Sequence, residues 1–171
     1  MTSTATPWSP GLEKAAKTCQ AAGGQAGIAL SDPFCVDRHH QAFRDMIRDH
    51  IDLLFCNEHE MAAMYPADTL EESIAEAARR VEIVACTVGA KGAYVVRGGE
   101  TVLAPAEAST VVDVTGAGDL FAAGFLHGLV NGRDMLTCGR MGCVAAGEII
   151  SHIGARPEAE LGALFAEKGL Q

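Results

Sequence analysis

Val111–Leu126 reads VVDVTGAGDLFAAGFL, and the fold follows from how this stretch is parsed. The β-branched run Thr110–Val112 predicts a strand, Thr115-Gly116-Ala117-Gly118 a glycine-bearing turn, and the apolar segment opening with Asp119 a helix. A strand, a tight loop and a helix start bring several backbone N–H groups and the positive end of a helix dipole to one place. That place suits an anion, above all a phosphate. Asp119 stands beside it, and a carboxylate next to an anion site makes chemical sense when it handles a proton. A hydroxyl attacking a phosphoryl group needs this pairing: N–H groups to stabilise charge on the moving phosphate, and a base for the hydroxyl proton.

Upstream, apolar strands alternate with helical segments. Glu13–Ala22 is expected as a short helix closed by Gly23-Gly24, and Ala26–Leu30 (AGIAL) as a brief buried strand ended by Ser31-Asp32-Pro33. Asp37–Asp49 carries Phe43, Met46 and Ile47 at helical spacing, and Ile51–Phe55 (IDLLF) follows as a second strand. Thr69–Arg80 begins with Thr69 and Glu72 at capping-box spacing, and Glu82–Val88 (EIVACTV) is a third strand. Ala93–Arg97 and Glu100–Leu103, joined through Gly98-Gly99, predict a hairpin. Downstream, Asp134–Ile150 is a helix rich in small residues, and Pro157 is expected to start a last helix towards Lys168. This order predicts an α/β fold: a mostly parallel sheet whose ligands lie beyond the carboxyl ends of the strands. The loops after Phe55, Val88 and Val114 are then candidates for a single site.

The 171 residues are 49% hydrophobic and 20% charged, enough for one compact domain with a core. The net charge of -9 argues against nucleic acid or an anionic membrane as partner. MTSTATPWSP lacks the basic and apolar regions of a signal peptide, so residues 1–11 are expected to be a flexible tail, residues 12–171 the folded part, and the cytoplasm the location. The six cysteines form no C-x-x-C and read as reduced structural residues. The loop lacks the lysine of a P-loop, and GAGDLF has Phe121 where a dinucleotide fingerprint needs a third glycine.

These motifs together resemble the ribokinase-like, phosphofructokinase-B-type family of sugar and nucleoside kinases. DVTGAGDLFAAGFL is similar to its C-terminal motif, Asn57-Glu58-His59-Glu60 to its N-x-x-E motif, and Thr87-Val88-Gly89-Ala90-Lys91-Gly92 to its T-x-G-x-x-G nucleotide loop. LSDPFCVDRHH, Leu30–His40, resembles the bacterial adenosine-kinase-like branch. The resemblance implies a three-layer α/β/α core and transfer of the γ-phosphate of ATP to a nucleoside, adenosine preferred, or to a sugar hydroxyl. It implies that Asp119 is the base and that Gly116, Ala117 and Gly118 form the backbone anion hole. Thr87, Gly89, Gly92 and Thr115 would border the nucleotide, Asn57 and Glu60 would place Mg²⁺ through water, and Asp113 with Thr115 would hold a monovalent cation such as K⁺.

The plainer readings of the same residues are local. Asp119 favours a helix dipole wherever it stands in a first turn, Asn57 and Glu60 have the spacing of a helix cap, and Gly89 and Gly92 can turn a hairpin. Lys91 reads as a solvated loop cation, and His127 and His152 as ordinary helix residues near a nucleotide cleft. The resemblance starts near Leu12 and covers only the family's C-terminal half. The expectation is therefore a truncated fold lacking the N-terminal half and lid, with self-association or a complementary N-terminal half as partner. A non-catalytic nucleotide-binding fragment, a ribokinase- or fructokinase-type sugar kinase, and an unrelated anion-binding or dinucleotide-binding domain remain open.

Overall fold

A computed structural model of the protein describes residues 9–170. The helices are α1 (Ser9–Ala21), α2 (Pro33–His50), α3 (Glu58–Met64), α4 (Leu70–Ala78), α5 (Ala117–Val130), α6 (Met135–Ile149) and α7 (Leu161–Glu167). The strands are β1 (Gly27–Ala29), β2 (Leu53–Asn57), β3 (Ile83–Thr87), β4 (Ala93–Arg97) and β5 (Glu100–Ala104), in the order β1-β2-β3-β4-β5 of one mixed, mostly parallel sheet. The expected α/β class holds. The chain divides into two compact units, one reaching Cys86 and including Arg97–Gly99, the other made of Thr87–Val96 and the chain from Glu100 onward.

In the first unit β1 and β2 pair in parallel, with Gly27 opposite Leu53 and Ala29 opposite Phe55. Leu53–Cys56 are all buried, which explains why β2 reads as an unbroken apolar run rather than an alternating one. Asp52 fixes the register: its carboxylate accepts the Ala26 N–H at 2.7 Å and the Gln20 amide at 3.0 Å, and its carbonyl accepts from Ile83 N–H at 3.0 Å. Asp32 caps α2 through the N–H groups of Phe34 and Cys35, with Pro33 in the first turn. Val36, Phe43 and Ile47 form its buried stripe. Thr69 and Glu72 form the expected capping box at the start of α4.

The hairpin turns on Gly98-Gly99 as expected, both with positive φ. Helices α5 and α6 approach closely because glycines face the partner: a Cβ on Gly124 would lie 2.5 Å from the Met141 carbonyl oxygen, and one on Gly142 would lie 2.7 Å from the Phe121 ring. Met141, Val144 and Ala145 of α6 pack with Phe165 and Leu170, so α7 closes this core.

Four expectations change. Thr110–Val112 is not a strand: Val111 and Val112 are more than half exposed, and the Val112 N–H bonds the Ile150 carbonyl at 2.8 Å instead of a neighbouring strand. The loop after Val114 therefore does not follow a strand. Helix α5 opens at Ala117, two residues before Asp119, because left-handed Gly116 serves as its N-cap. The last helix begins at Leu161, capped by the Glu160 carboxylate, and Pro157 lies in the loop before it. Of the expected tail, residues 1–8 lie outside the described residues, and Ser9–Gly11 form the first turn of α1. Among the described residues no helix is long and apolar enough to cross a membrane.

Candidate active site

The second unit builds the anion junction from its own backbone. Asp113 organises the turn: one carboxylate oxygen accepts the Thr115 N–H at 2.9 Å and its hydroxyl at 2.7 Å, and the other accepts the Gly154 N–H at 3.1 Å. These three donors, the Thr115 N–H foremost, hold the Asp113 carboxyl below its ordinary range. Gly116 follows at φ +82°, and a Cβ there would sit 3.1 Å from the Ala155 methyl. Only glycine meets both demands without strain.

The N–H groups then divide. Ala117 donates to the Val114 carbonyl at 3.1 Å. The N–H groups of Gly116, Gly118 and Asp119 have no hydrogen bond to another described residue, as the first turn of a helix dictates. The Asp119 side chain is exposed in that turn and makes no hydrogen bond to a described residue. Three free donors and one free carboxylate thus stand together at the N-terminus of α5.

Beside them lies a cavity of about 550 Å³, within the size range of small-molecule sites. Ala117 and Gly118 border it, as do Thr87, Gly89 and Gly92 of the β3–β4 turn. Two segments more than twenty residues apart, both named from the family resemblance, therefore border one cavity. Gly92 is also demanded by the fold: at φ +111°, its Cβ would lie 1.9 Å from the Ala104 carbonyl oxygen. A Cβ on Gly89 or Gly118 would meet nothing within 4 Å, so those two glycines leave room at the cavity edge.

Of the other lining residues, Ala146 and Gly147 belong to the small-residue helix named from sequence, whereas Glu107, Ser109 and Cys143 were not singled out there. Ala146, Gly147 and Ile150 of the α6 region contribute a small-residue wall, Phe121 an aromatic one, and Glu107 and Ser109 polar groups. Glu107 pairs with Lys168 at 2.7 Å. Cys143 also lines the cavity, and burial pushes its thiol up to about 11. The small-residue pattern of α6 was the available signal; it serves helix packing at Gly139 and Gly142 and the cavity at Ala146 and Gly147.

Asn57 and Glu60 belong to the first unit and form a complete capping box for α3. The Asn57 side-chain oxygen accepts from His59 and Glu60 N–H, both at 2.9 Å. Glu60 accepts the Asn57 N–H at 3.0 Å and its side-chain amide at 2.7 Å. Burial raises the Glu60 carboxyl above its usual value, and the nearby Asp32 adds to the rise while the Asn57 donors oppose it. The plainer reading of this pair is therefore realised. Its oxygens are hard donors suited to Mg²⁺, but they already accept hydrogen bonds, which fits a cation held through water rather than by direct ligation. Among the described residues no cluster of three or more His, Cys, Asp or Glu is placed to bind a metal directly. His127 faces Phe165 with ring centres 5.7 Å apart, whereas His152 lies beyond the end of α6 rather than on a helix.

A family model described as pfkB family carbohydrate kinase matches residues 5–160. The chain belongs to that family. An uncharacterized sugar kinase of Archaeoglobus fulgidus is 38% identical over 109 residues, covering 64% of this pfkB chain and 40% of that protein. The crystal structure of a probable sugar kinase from Rhizobium etli CFN 42 matches with a TM-score of 0.91 at 38% identity, over 94% of this chain and 49% of that one. The adenosine kinase from Sinorhizobium meliloti matches with a TM-score of 0.89 at 37% identity, over 92% and 49%. This pfkB chain thus spans half or less of the length of these relatives, and its fold is the corresponding part of a ribokinase-like one.

Proposed function

We propose that this chain carries the donor side of an ATP-dependent phosphotransferase that acts on a hydroxyl of a nucleoside, adenosine preferred, or of a sugar. The observation that supports this most is that free N–H donors and the free Asp119 carboxylate share the start of α5, whose Ala117 and Gly118 border one cavity together with Gly89. The adenosine preference draws on the Leu30–His40 segment and on the likeness to an adenosine kinase.

In this reading the nucleotide lies against Thr87, Gly89, Gly92 and Thr115. The N–H groups of Gly116 and Gly118 donate to the oxygens of the transferring phosphoryl group, joined by Ala117 if its bond to Val114 exchanges. Asp119 takes the proton from the acceptor hydroxyl as its oxygen attacks phosphorus. A loose transition state asks for positioning and charge neutralisation more than for a strong base. Mg²⁺ would neutralise charge on the phosphate oxygens of ATP, and Asn57 and Glu60 of the first unit are the residues that would place it through water. Asp113 and Thr115 would hold a monovalent cation beneath the turn, and the cytoplasm is the expected setting.

The half-length match favours a second reading, in which the chain binds nucleotide and transfers phosphate only with a complementary half or after self-association. One experiment separates them: ADP release by the purified chain with adenosine, ribose, fructose and no acceptor in parallel, repeated with Asp119→Asn. Adenosine-stimulated release that Asp119→Asn removes, with ATP affinity kept within a few-fold, supports the first reading. ATP binding without acceptor-dependent release supports the second. Full activity in Asp119→Asn would eliminate Asp119 as the base.

A further inference from the structure

Residues 151–160, between α6 and α7, form no regular helix or strand, yet they provide the floor under the anion junction. Gly154 N–H holds one oxygen of Asp113, and Ala155 packs 3.1 Å from where a Gly116 Cβ would be. Just before the loop, the Ile150 carbonyl accepts from Val112 N–H at 2.8 Å. The conformation of Asp113–Gly116 therefore depends on where this loop sits.

One side chain ties the loop at both ends. Glu148, in the last turn of α6, keeps its side chain only 8% exposed. A single oxygen, Oε1, accepts the N–H groups of Glu158 and Ala159, both at 2.8 Å, and lies 3.3 Å from His152 Nε2. The His152 ring lies in turn 3.4 Å from the Ile153 carbonyl oxygen. The other oxygen, Oε2, is buried without a partner among the described residues. Burying a carboxylate with one oxygen unpaired is unfavourable. A packing role alone is met by an apolar residue at less cost.

We propose that Glu148 is a positioning residue: it pins both ends of the 151–160 loop, and through Gly154 and Ala155 it sets the geometry of the Asp113–Gly116 turn that receives phosphate. This rests on the anion-site reading given above. Closing a loop of this length costs conformational entropy each time it orders, and the shared carboxylate removes most of that freedom.

The test uses Glu148→Gln, which keeps the volume, and Glu148→Ala, measured on the full chain by calorimetric titration with Mg²⁺-ATP and with AMP, alongside amide exchange at Gly154. General structural damage weakens ATP and AMP binding alike. Loss of positioning weakens ATP binding selectively, with the ATP-over-AMP preference falling by about ten-fold, the size of one lost hydrogen bond, and with faster exchange at Gly154. If Glu148→Ala does not fold, Glu148→Gln carries the same two readouts with a smaller fall. A wild-type preference for ATP that both variants retain, with unchanged Gly154 exchange, overturns the role of Glu148. A wild-type chain that binds AMP and ATP equally overturns the anion-site reading itself, and this proposal with it.

Discussion

Gly118→Ala should make the protein more stable and worse at binding ATP. Gly118 is the second residue of α5, its φ is negative, and a Cβ there meets nothing within 4 Å. Replacing glycine by alanine in a helix gains about 0.5–1 kcal/mol, and the first turn realises the lower part of that range. The new methyl, however, projects at the cavity edge where the Gly118 N–H is to meet a phosphate oxygen at hydrogen-bond distance. Crowding one such contact should weaken ATP binding by about ten-fold, roughly 1.4 kcal/mol. Gly92→Ala provides the contrast. Its φ of +111° and an approach of 1.9 Å to the Ala104 oxygen combine backbone strain of about 1–3 kcal/mol with overpacking of similar size. It should lose stability outright. Urea unfolding with an unchanged m-value reads the first quantity, and titration with Mg²⁺-ATP reads the second. A Gly118→Ala protein that is destabilised, or that binds ATP as tightly as the wild type, refutes the assignment of this glycine to phosphate approach.

Asn57→Ala should cost about 1–2 kcal/mol in urea unfolding, since it removes the cap of α3 and one donor to buried Glu60; a change below a few tenths would show that the box contributes nothing. His152 should give a pH-dependent stability term. Burial opposes its charge, but the Ile153 carbonyl and the Glu158 and Glu148 carboxylates raise its affinity for the proton, with Asp113 the other nearby acid. A raised folded-state value means the stabilisation is complete below about pH 6.5, the unfolded value, and is lost as pH rises through the folded one. The stability difference between wild type and His152→Gln should therefore shrink from pH 5.5 to pH 8, and a difference that grows would contradict this sign.

The alternation of strands and helices was legible because each strand of the first unit is a short apolar run bounded by turn residues, and because Gly98-Gly99 fits only a two-residue hairpin. Thr110–Val112 misled for the converse reason: β-branched residues favour a pleated surface, but a strand exists only where a ladder partner is available, and here the Ile150 carbonyl takes that role. Pro157 fits a first helical turn by itself. The carboxylate of Glu160, accepting from Gly162 and Ala163 N–H, sets the actual start, and Glu148 holds the preceding backbone away from the helix. Within the site, the Thr115–Asp119 stretch was visible because backbone approach requires particular residues at fixed spacing, while Thr87 and Gly89 were visible through the family's T-x-G-x-x-G pattern. Glu107, Phe121 and Cys143 were not, because a cavity wall is defined by how α5, α6 and the chain after β5 pack together, and no local pattern encodes that.

The charge of the chain makes a final demand on the site. A net charge of -9 produces a long-range field that repels polyphosphates, yet the proposed ligand is one. Attraction must then come from short range, from the N–H groups of Gly116, Gly118 and Asp119 and from a bound cation, which act within a few ångströms where salt screens little. The two contributions separate with ionic strength. Between 0.02 and 0.2 M salt the Debye length shortens from about 20 to about 7 Å, so the repulsion fades while the local contacts persist. The association rate of Mg²⁺-ATP should therefore rise modestly with salt, and its dissociation rate should stay nearly constant, which stopped-flow measurement can resolve. An association rate that falls steeply with salt would mean that steering by basic side chains, rather than the backbone donors of the GAG turn, brings the nucleotide in.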